Sequence, residues 1–227
     1  MKSAEELYAS YKPFLVNVAL MSPPVFRHGL QPSIPCWGQK VFNNMKQLRT
    51  HFLHAGAVLL AVAISWFTHE LAHWAMAKAL GYSPIMTMNT VSIGDETYTQ
   101  PWHAMIVSAA GPVITIIQAI LVYWWLAVKG WQRWLYPYLL LALYTRFLAG
   151  VFNVFNLNDE GRIGHALGIG DYTLSILVSG FLFWLLWKST KQHKPGWRFI
   201  TYSLFLIMVF GSIVILGDNA WKPVLLS

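Results

Sequence analysis

The chain is 227 residues long, 56% hydrophobic and only 11% charged, with 16 Lys and Arg against 9 Asp and Glu and a formal net charge of +7. Soluble domains carry about 25% charged residues; at a mean hydropathy of +0.46 a soluble fold could not cover its own apolar surface, which leaves the membrane class. The single cysteine, Cys36, excludes an internal disulfide framework and a cysteine-based zinc site.

Residues 1–50 read as a mixed, interfacial segment set apart from the membrane domain at 51–227. Ser3-Ala-Glu-Glu6 has the form of a capping box opening a short helix that Pro13 limits. The apolar stretch Phe14 to Met21 is short, broken by Asn17, and runs into Ser22-Pro23-Pro24 without a small-residue cleavage site, so it does not read as a signal peptide. Pro, Gly and Asn between Met21 and Asn44 predict irregular structure on the membrane surface.

Five apolar runs come next: Ala55 to Leu80, His103 to Val128, Leu135 to Leu157, Tyr172 to Trp187 and Trp197 to Leu216. A span needs about 20 apolar residues to cross a core of roughly 30 Å. The fourth run is short by this measure, and polar groups interrupt the first and third. Trp124, Trp125, Trp131, Trp134, Trp184, Trp187 and Trp197 gather near the run ends, as an interfacial belt would place them. Between the first two runs, Thr87 to Ile93 and Thr97 to Gln100 predict two strands joined by a turn at Gly94. The expected fold is an all-α polytopic membrane protein of about five transmembrane helices, with a small β-hairpin between the first and second.

The first run contains Phe67-Thr-His-Glu-Leu-Ala-His73, an H-E-x-x-H motif. On a helix, residues four apart lie about 40° apart around the axis, so His69 and His73 can converge on one ion. Glu70 is turned by about 100° from His69, on the same broad face, where a carboxylate can take a proton from an attacking water. The apolar flanks argue against a chance motif on a solvated helix, because an ionisable group near the bilayer centre costs about 2.5–3.5 kcal/mol on insertion scales and usually marks function. A catalytic zinc takes three protein ligands. Asp159, in the polar stretch Asn153 to Gly161 at the end of the third run, is the candidate for the third. A capped polar helix end is the plainer alternative for that stretch.

These motifs together resemble the site-2 protease family of intramembrane metalloproteases. His69-Glu-Leu-Ala-His73 followed by Ala77-Lys-Ala-Leu-Gly81 is similar to its first motif, Ser108-Ala-Ala-Gly-Pro112 to its A-G-P motif, and Asn158-Asp-Glu-Gly-Arg-Ile163 to its L-D-G-G-R-I motif. They fall in the family's order and cover about residues 55–170. The resemblance implies zinc held by His69, His73 and Asp159, Glu70 as general base, and cleavage of transmembrane substrates at or within the bilayer. The expected location is a bacterial or archaeal cell (inner) membrane. The chain departs from the pattern at HELAH for HELGH, at Thr115 where an Asn follows A-G-P, at Glu160 for the first Gly of G-G, and in lacking a P-x-P approach to the aspartate. Glu160 ranks second to Asp159 as a ligand.

Gly111 and the small residues Ser108, Ala109 and Ala110 would let the second span approach the metal helix closely. Pro112 would leave the carbonyl of Ser108 free. Arg146 reads as a partner for a carboxylate, or as a group that steadies a bound peptide carbonyl; with Asn153, Asn156 and Val91 it completes the candidate substrate-binding set. His28, His51, His54, His103, His165 and His193 read as interfacial or loop residues, of which His103 and His165 lie near a motif. The expected partners are the lipid bilayer, a transmembrane protein substrate and subunits of a membrane complex; the basic excess calls for no nucleic acid. A non-proteolytic member acting as scaffold, chaperone or complex subunit is the second reading, and a metal transporter the third. Basic residues weight the N-terminal segment, Lys129 to Arg133 and Lys188 to Arg198, which places the N-terminus inside, whereas the family resemblance implies the reverse.

Overall fold

The structure is a computed structural model; it describes residues 36–227, with side chains from residue 43 onward. The capping box at Ser3 and the stretch Phe14 to Met21 lie outside the described residues. Lys46–Ser227 form one compact unit, which holds the membrane architecture.

The elements are α1 (Cys36–Ala79), β1 (Ile85–Met86), β2 (Val91–Ser92), α2 (Pro101–Lys129), α3 (Tyr136–Phe152), α4 (Asp159–Ala166), α5 (Thr173–His193) and α6 (Trp197–Trp221). Helix α1 begins at Cys36, so residues 36–44 are helical and not irregular as their Pro, Gly and Asn neighbours suggested. Four helices are long and apolar enough to cross a membrane: Asn43–Ala79, Pro101–Lys129, Thr173–His193 and Trp197–Trp221. These define an integral membrane protein, all-α but for a two-stranded hairpin. The fourth expected run is a full 21-residue helix, because helical geometry continues through Lys188 and Lys191 to His193.

The third expected run is cut short. Helix α3 has 17 residues and stops at Phe152, a length of about 25 Å at 1.5 Å per residue. It still passes from one end of the molecule to the other. Tyr136 at its start bonds Thr190 Oγ1 (2.8 Å) near the end of α5, whereas Asn153 just past its end bonds Ser175 Oγ (3.2 Å) near the start of α5. Five helices therefore traverse the fold. The third is shorter than a hydrocarbon core of about 30 Å.

The core combines large apolar side chains, among them Leu126, Leu141, Leu182 and Ile207, with small residues at close helix contacts, as expected where lipid is the solvent. Helix α3 buries Tyr136 to Ala142, and it packs against α5, α2 and α6. Ser175, Ser189 and Ser203 are buried along α5 and α6, and Gly150 meets Ser175 closely. Leu59, Leu60, Ile64, Val113, Ile117, Ile176 and Ile213 face outward, towards lipid.

The two ends differ in charge. Glu70, Asp95, Glu96, Asp159, Glu160, Asp171 and Asp218 belong to the end formed by the close of α1, the hairpin, α4 and the close of α6. The other end holds Lys129, Arg133, Lys188, Lys191, Lys194 and Arg198, and no Asp or Glu among the described residues. Trp131 packs there against His193 and Phe199, with all seven expected belt tryptophans exposed. This asymmetry favours an inside location for the basic end. A His193→Cys variant in intact cells should accordingly resist an impermeant thiol reagent added outside; labelling would reverse the orientation.

The hairpin differs from its sequence reading. Strands Ile85–Met86 and Val91–Ser92 pair antiparallel, Ile85 opposite Ser92 and Met86 opposite Val91, so the connecting turn is Thr87–Thr90 and not Gly94. Gly94 does turn the chain, with φ of 61°, but after the hairpin; Thr97 to Gln100 form no strand. The turn is closed from a distance: Asp218 of α6 accepts from Met88 N (2.9 Å), Thr87 Oγ1 (3.1 Å) and Thr90 Oγ1 (3.4 Å). From α1, Trp66 Nε1 donates to Asn89 Oδ1 at 2.8 Å.

Candidate metal centre

One helical turn of α1 places His69, Glu70 and His73 inward, each 7% exposed. Helix α2 crosses them at Gly111, where an added Cβ would overlap both imidazoles. The glycine is required by close approach, as the small-residue pattern indicated. His73 Nδ1 donates to the carbonyl of Val107 at 2.6 Å, and His69 Nδ1 lies 3.1 Å from Thr115 Oγ1, which itself donates to the carbonyl of Gly111 at 3.1 Å. A carbonyl only accepts, so His73 carries hydrogen on Nδ1; with the Nδ1 atoms engaged on α2, both rings turn Nε2 towards the same point.

Asp159 completes the group. It is the first residue of α4, whose N-cap Asn158 accepts from Gly161 N at 2.7 Å. Its Oδ2 lies 3.2 Å from His69 Nε2 and 3.4 Å from His73 Nε2, and the two Nε2 atoms are 3.2 Å apart. Two ring nitrogens and a carboxylate oxygen thus face one another at contact distance. Ligands at about 2.0–2.1 Å from a tetrahedral ion stand about 3.3 Å apart, so the donor set and spacing fit a metal ion. His69, His73 and Asp159 are the group that could hold one.

Glu160 is separated from this group. It is 2% exposed, and its Oε1 lies 3.4 Å from Arg146 Nη1, which is also 3.6 Å from Asp159 Oδ2. Burial pushes the Glu160 carboxyl up from its usual range, and the Arg146 guanidinium opposes that push. Arg146 is thus a carboxylate partner that ties both acids of α4 to α3.

The sequence-derived substrate residues divide. Val91, Arg146 and Asn156 line a cavity of about 650 Å³ that also reaches His69, Glu70, His73 and Asp159. Asn153 does not line it. Its Oδ1 accepts from Asn158 N (2.7 Å) and its Nδ2 donates to Asp171 O (3.0 Å) and Ser175 Oγ (3.2 Å), which locks the loop that delivers Asp159. Gly161 is small because a Cβ there would strike that amide. Glu70 makes no hydrogen bond or ion pair to another described residue, and it lines the cavity.

The remaining histidines stand apart. His103 Nδ1 meets Tyr82 Oη at 2.6 Å, and His165 Nδ1 meets Asp171 Oδ1 at 3.0 Å. His54 is not in a loop: it lies within α1, fully buried, with Nε2 3.0 Å from Ser203 Oγ. Sequence reasoning missed Thr115 and the Val107 carbonyl as the groups that orient the two imidazoles. Thr115 had stood out as a departure from the motif, but nothing local tied it to His69. The carbonyl that serves His73 lies one residue before Ser108, the one expected to be freed by Pro112.

Compared with protein-family models, curated proteins and solved structures, the chain matches none. Fold and site together define a helical membrane protein with a His-His-Asp cluster, buried at both histidines, that could take a metal ion.

Proposed function

We propose that the protein is an intramembrane zinc metalloprotease that hydrolyses peptide bonds of membrane-embedded protein substrates. One observation carries this reading: three ligand atoms preset at 3.2–3.4 Å from one another, beside a Glu70 carboxylate that has no other partner. Two imidazoles and one carboxylate in tetrahedral spacing suit zinc. Motif resemblance to the site-2 protease family supports the same ion and reaction.

His69, His73 and Asp159 would hold the zinc. When bound, zinc supplies a Lewis acid that polarises a carbonyl and lowers the pKa of water. Glu70 takes the proton from the attacking water and passes it to the departing amine.

A transmembrane substrate has its peptide groups bonded internally, so it must unwind to be cut. The hairpin offers replacement bonds. Met86 gives both its N–H and its C=O to the segment at Leu225 and Leu226, so its N–H and C=O face away from β2. In an antiparallel pair the residue opposite then also faces outward. Val91 therefore presents its N–H and C=O at the outer edge of β2, on the cavity, with no described strand beside it. An extended substrate segment pairs there. Val91→Pro removes the donor and should lower turnover of a transmembrane reporter by about tenfold while leaving the metal content intact; unchanged turnover would exclude strand pairing at this edge.

The direct test joins metal analysis of the purified protein with cleavage of a transmembrane reporter. Stoichiometric zinc with cleavage that a chelator abolishes is the expected result. A protein that carries no metal and cuts nothing would refute the reading.

A further inference from the structure

The cavity holds two arginines in different circumstances. Arg146 is neutralised by Asp159 and Glu160. Arg162 pairs with no carboxylate among the described residues. Its Nε donates to the carbonyl of Leu157 at 3.1 Å, which fixes the guanidinium plane and leaves its outer nitrogens free. Asp159, on the same helix face, is engaged with His69, His73 and Arg146. Arg162 is exposed and lines the cavity together with Asp159 and Tyr98. Burial and Tyr82 push the Tyr98 phenol up, and Arg162 is near enough to oppose them.

Asp159 and Arg162 are three residues apart on α4, so their side chains leave the same helix face with Cβ atoms about 5–6 Å apart. A planar guanidinium with a free edge matches a carboxylate with two parallel hydrogen bonds. We infer that Arg162 is a specificity-determining residue that binds a carboxylate of the substrate, on an Asp or Glu side chain or at a chain terminus, near the bond presented to Glu70. An extended chain advances about 3.3 Å per residue, so the carboxylate falls within about three residues of that bond. This inference rests on the proteolytic reading for its setting, but the geometry of Arg162 is independent of turnover.

The test uses zinc-loaded full-length protein in detergent and fluorescent peptides identical except for Glu, Gln or Lys at one position within three residues of the cut. A second pair has a free or amidated C-terminus. Cleavage is measured with wild type, Arg162→Gln, Arg162→Glu and Arg162→Lys, and binding with the same changes made in Glu70→Gln protein. At one position, Glu should be favoured over Gln by about tenfold in both readouts. Arg162→Gln should erase that preference without altering handling of the Gln peptide, Arg162→Lys should restore part of it, and Arg162→Glu should turn it towards Lys. If amidation, and not side-chain neutralisation, removes the preference, the carboxylate read is a chain terminus. A wild type that cleaves nothing but binds with this Arg162-dependent preference sinks the protease reading and leaves the inference standing. The same preference, or none, in wild type and Arg162→Gln in the binding readout overturns the inference.

Discussion

Asp159→Ala should strip the purified protein of its metal, while Glu160→Gln should leave it in place. Asp159 Oδ2 is one of three ligand atoms spaced 3.2–3.4 Å apart, and no other described carboxylate takes part in that group. Loss of an outer partner typically weakens metal binding by 10–100-fold; loss of a direct ligand should exceed about 100-fold. Glu160 acts through Arg146. Removing its side chain as Glu160→Ala would leave a buried guanidinium with Asp159 alone, and breaking a buried pair costs about 3–5 kcal/mol, so the amide variant is the cleaner comparison. Metal content per protein, read after dialysis against a weak chelator, separates the two. The opposite pattern, with Glu160→Gln empty and Asp159→Ala loaded, would move the third ligand by one residue and require α4 to enter with a different register.

What was legible in the sequence was whatever depends on periodicity or on motif order. His69 and His73 meet because a helix has 3.6 residues per turn, and the apolar runs became helices because a bilayer leaves the backbone few alternatives. Asp159 stood out as an acid in a polar stretch at a span end, and motif order then singled it out; spacing could not, since it stands 86 positions from His73. Other features were hidden because their causes are remote. The hairpin turn sits at Thr87–Thr90 because Asp218, up to 131 positions away, accepts its donors. The local turn signal at Gly94 was sound, but no strand pairing depends on it. Asn153 looked like a substrate contact because an amide at a span end is otherwise hard to account for. Its bonds to Asn158, Asp171 and Ser175 supply the account, and they also explain why α3 stops at Phe152 and the chain turns back towards the metal group.

The change with the largest expected effect on rate is Glu70→Gln. Glu70 is 7% exposed on a helix that crosses the membrane, and no described residue neutralises it or bonds to it. It is not among the ligand atoms either. A carboxylate in that position costs the folded protein stability, so its presence points to a task, and proton transfer is the one its place beside the ligands allows. Glutamine keeps the shape and the polarity but lacks the basic oxygen and the charge, so zinc content and helicity should match the wild type and thermal unfolding should come no lower. Cleavage of a transmembrane reporter should fall by about 10²–10⁴-fold, the usual loss for a missing general base. A uniform loss of metal or fold in Glu70→Gln would instead give the carboxylate a structural role. A scaffold would behave differently again: cellular function would survive Glu70→Gln and fail only when ligand changes disturb stability. Because binding, folding and rate are read on one variant, each outcome assigns Glu70 to a different task. The expected one, zinc retained and cleavage lost, is the pattern that a structural or scaffolding role for the same carboxylate does not produce.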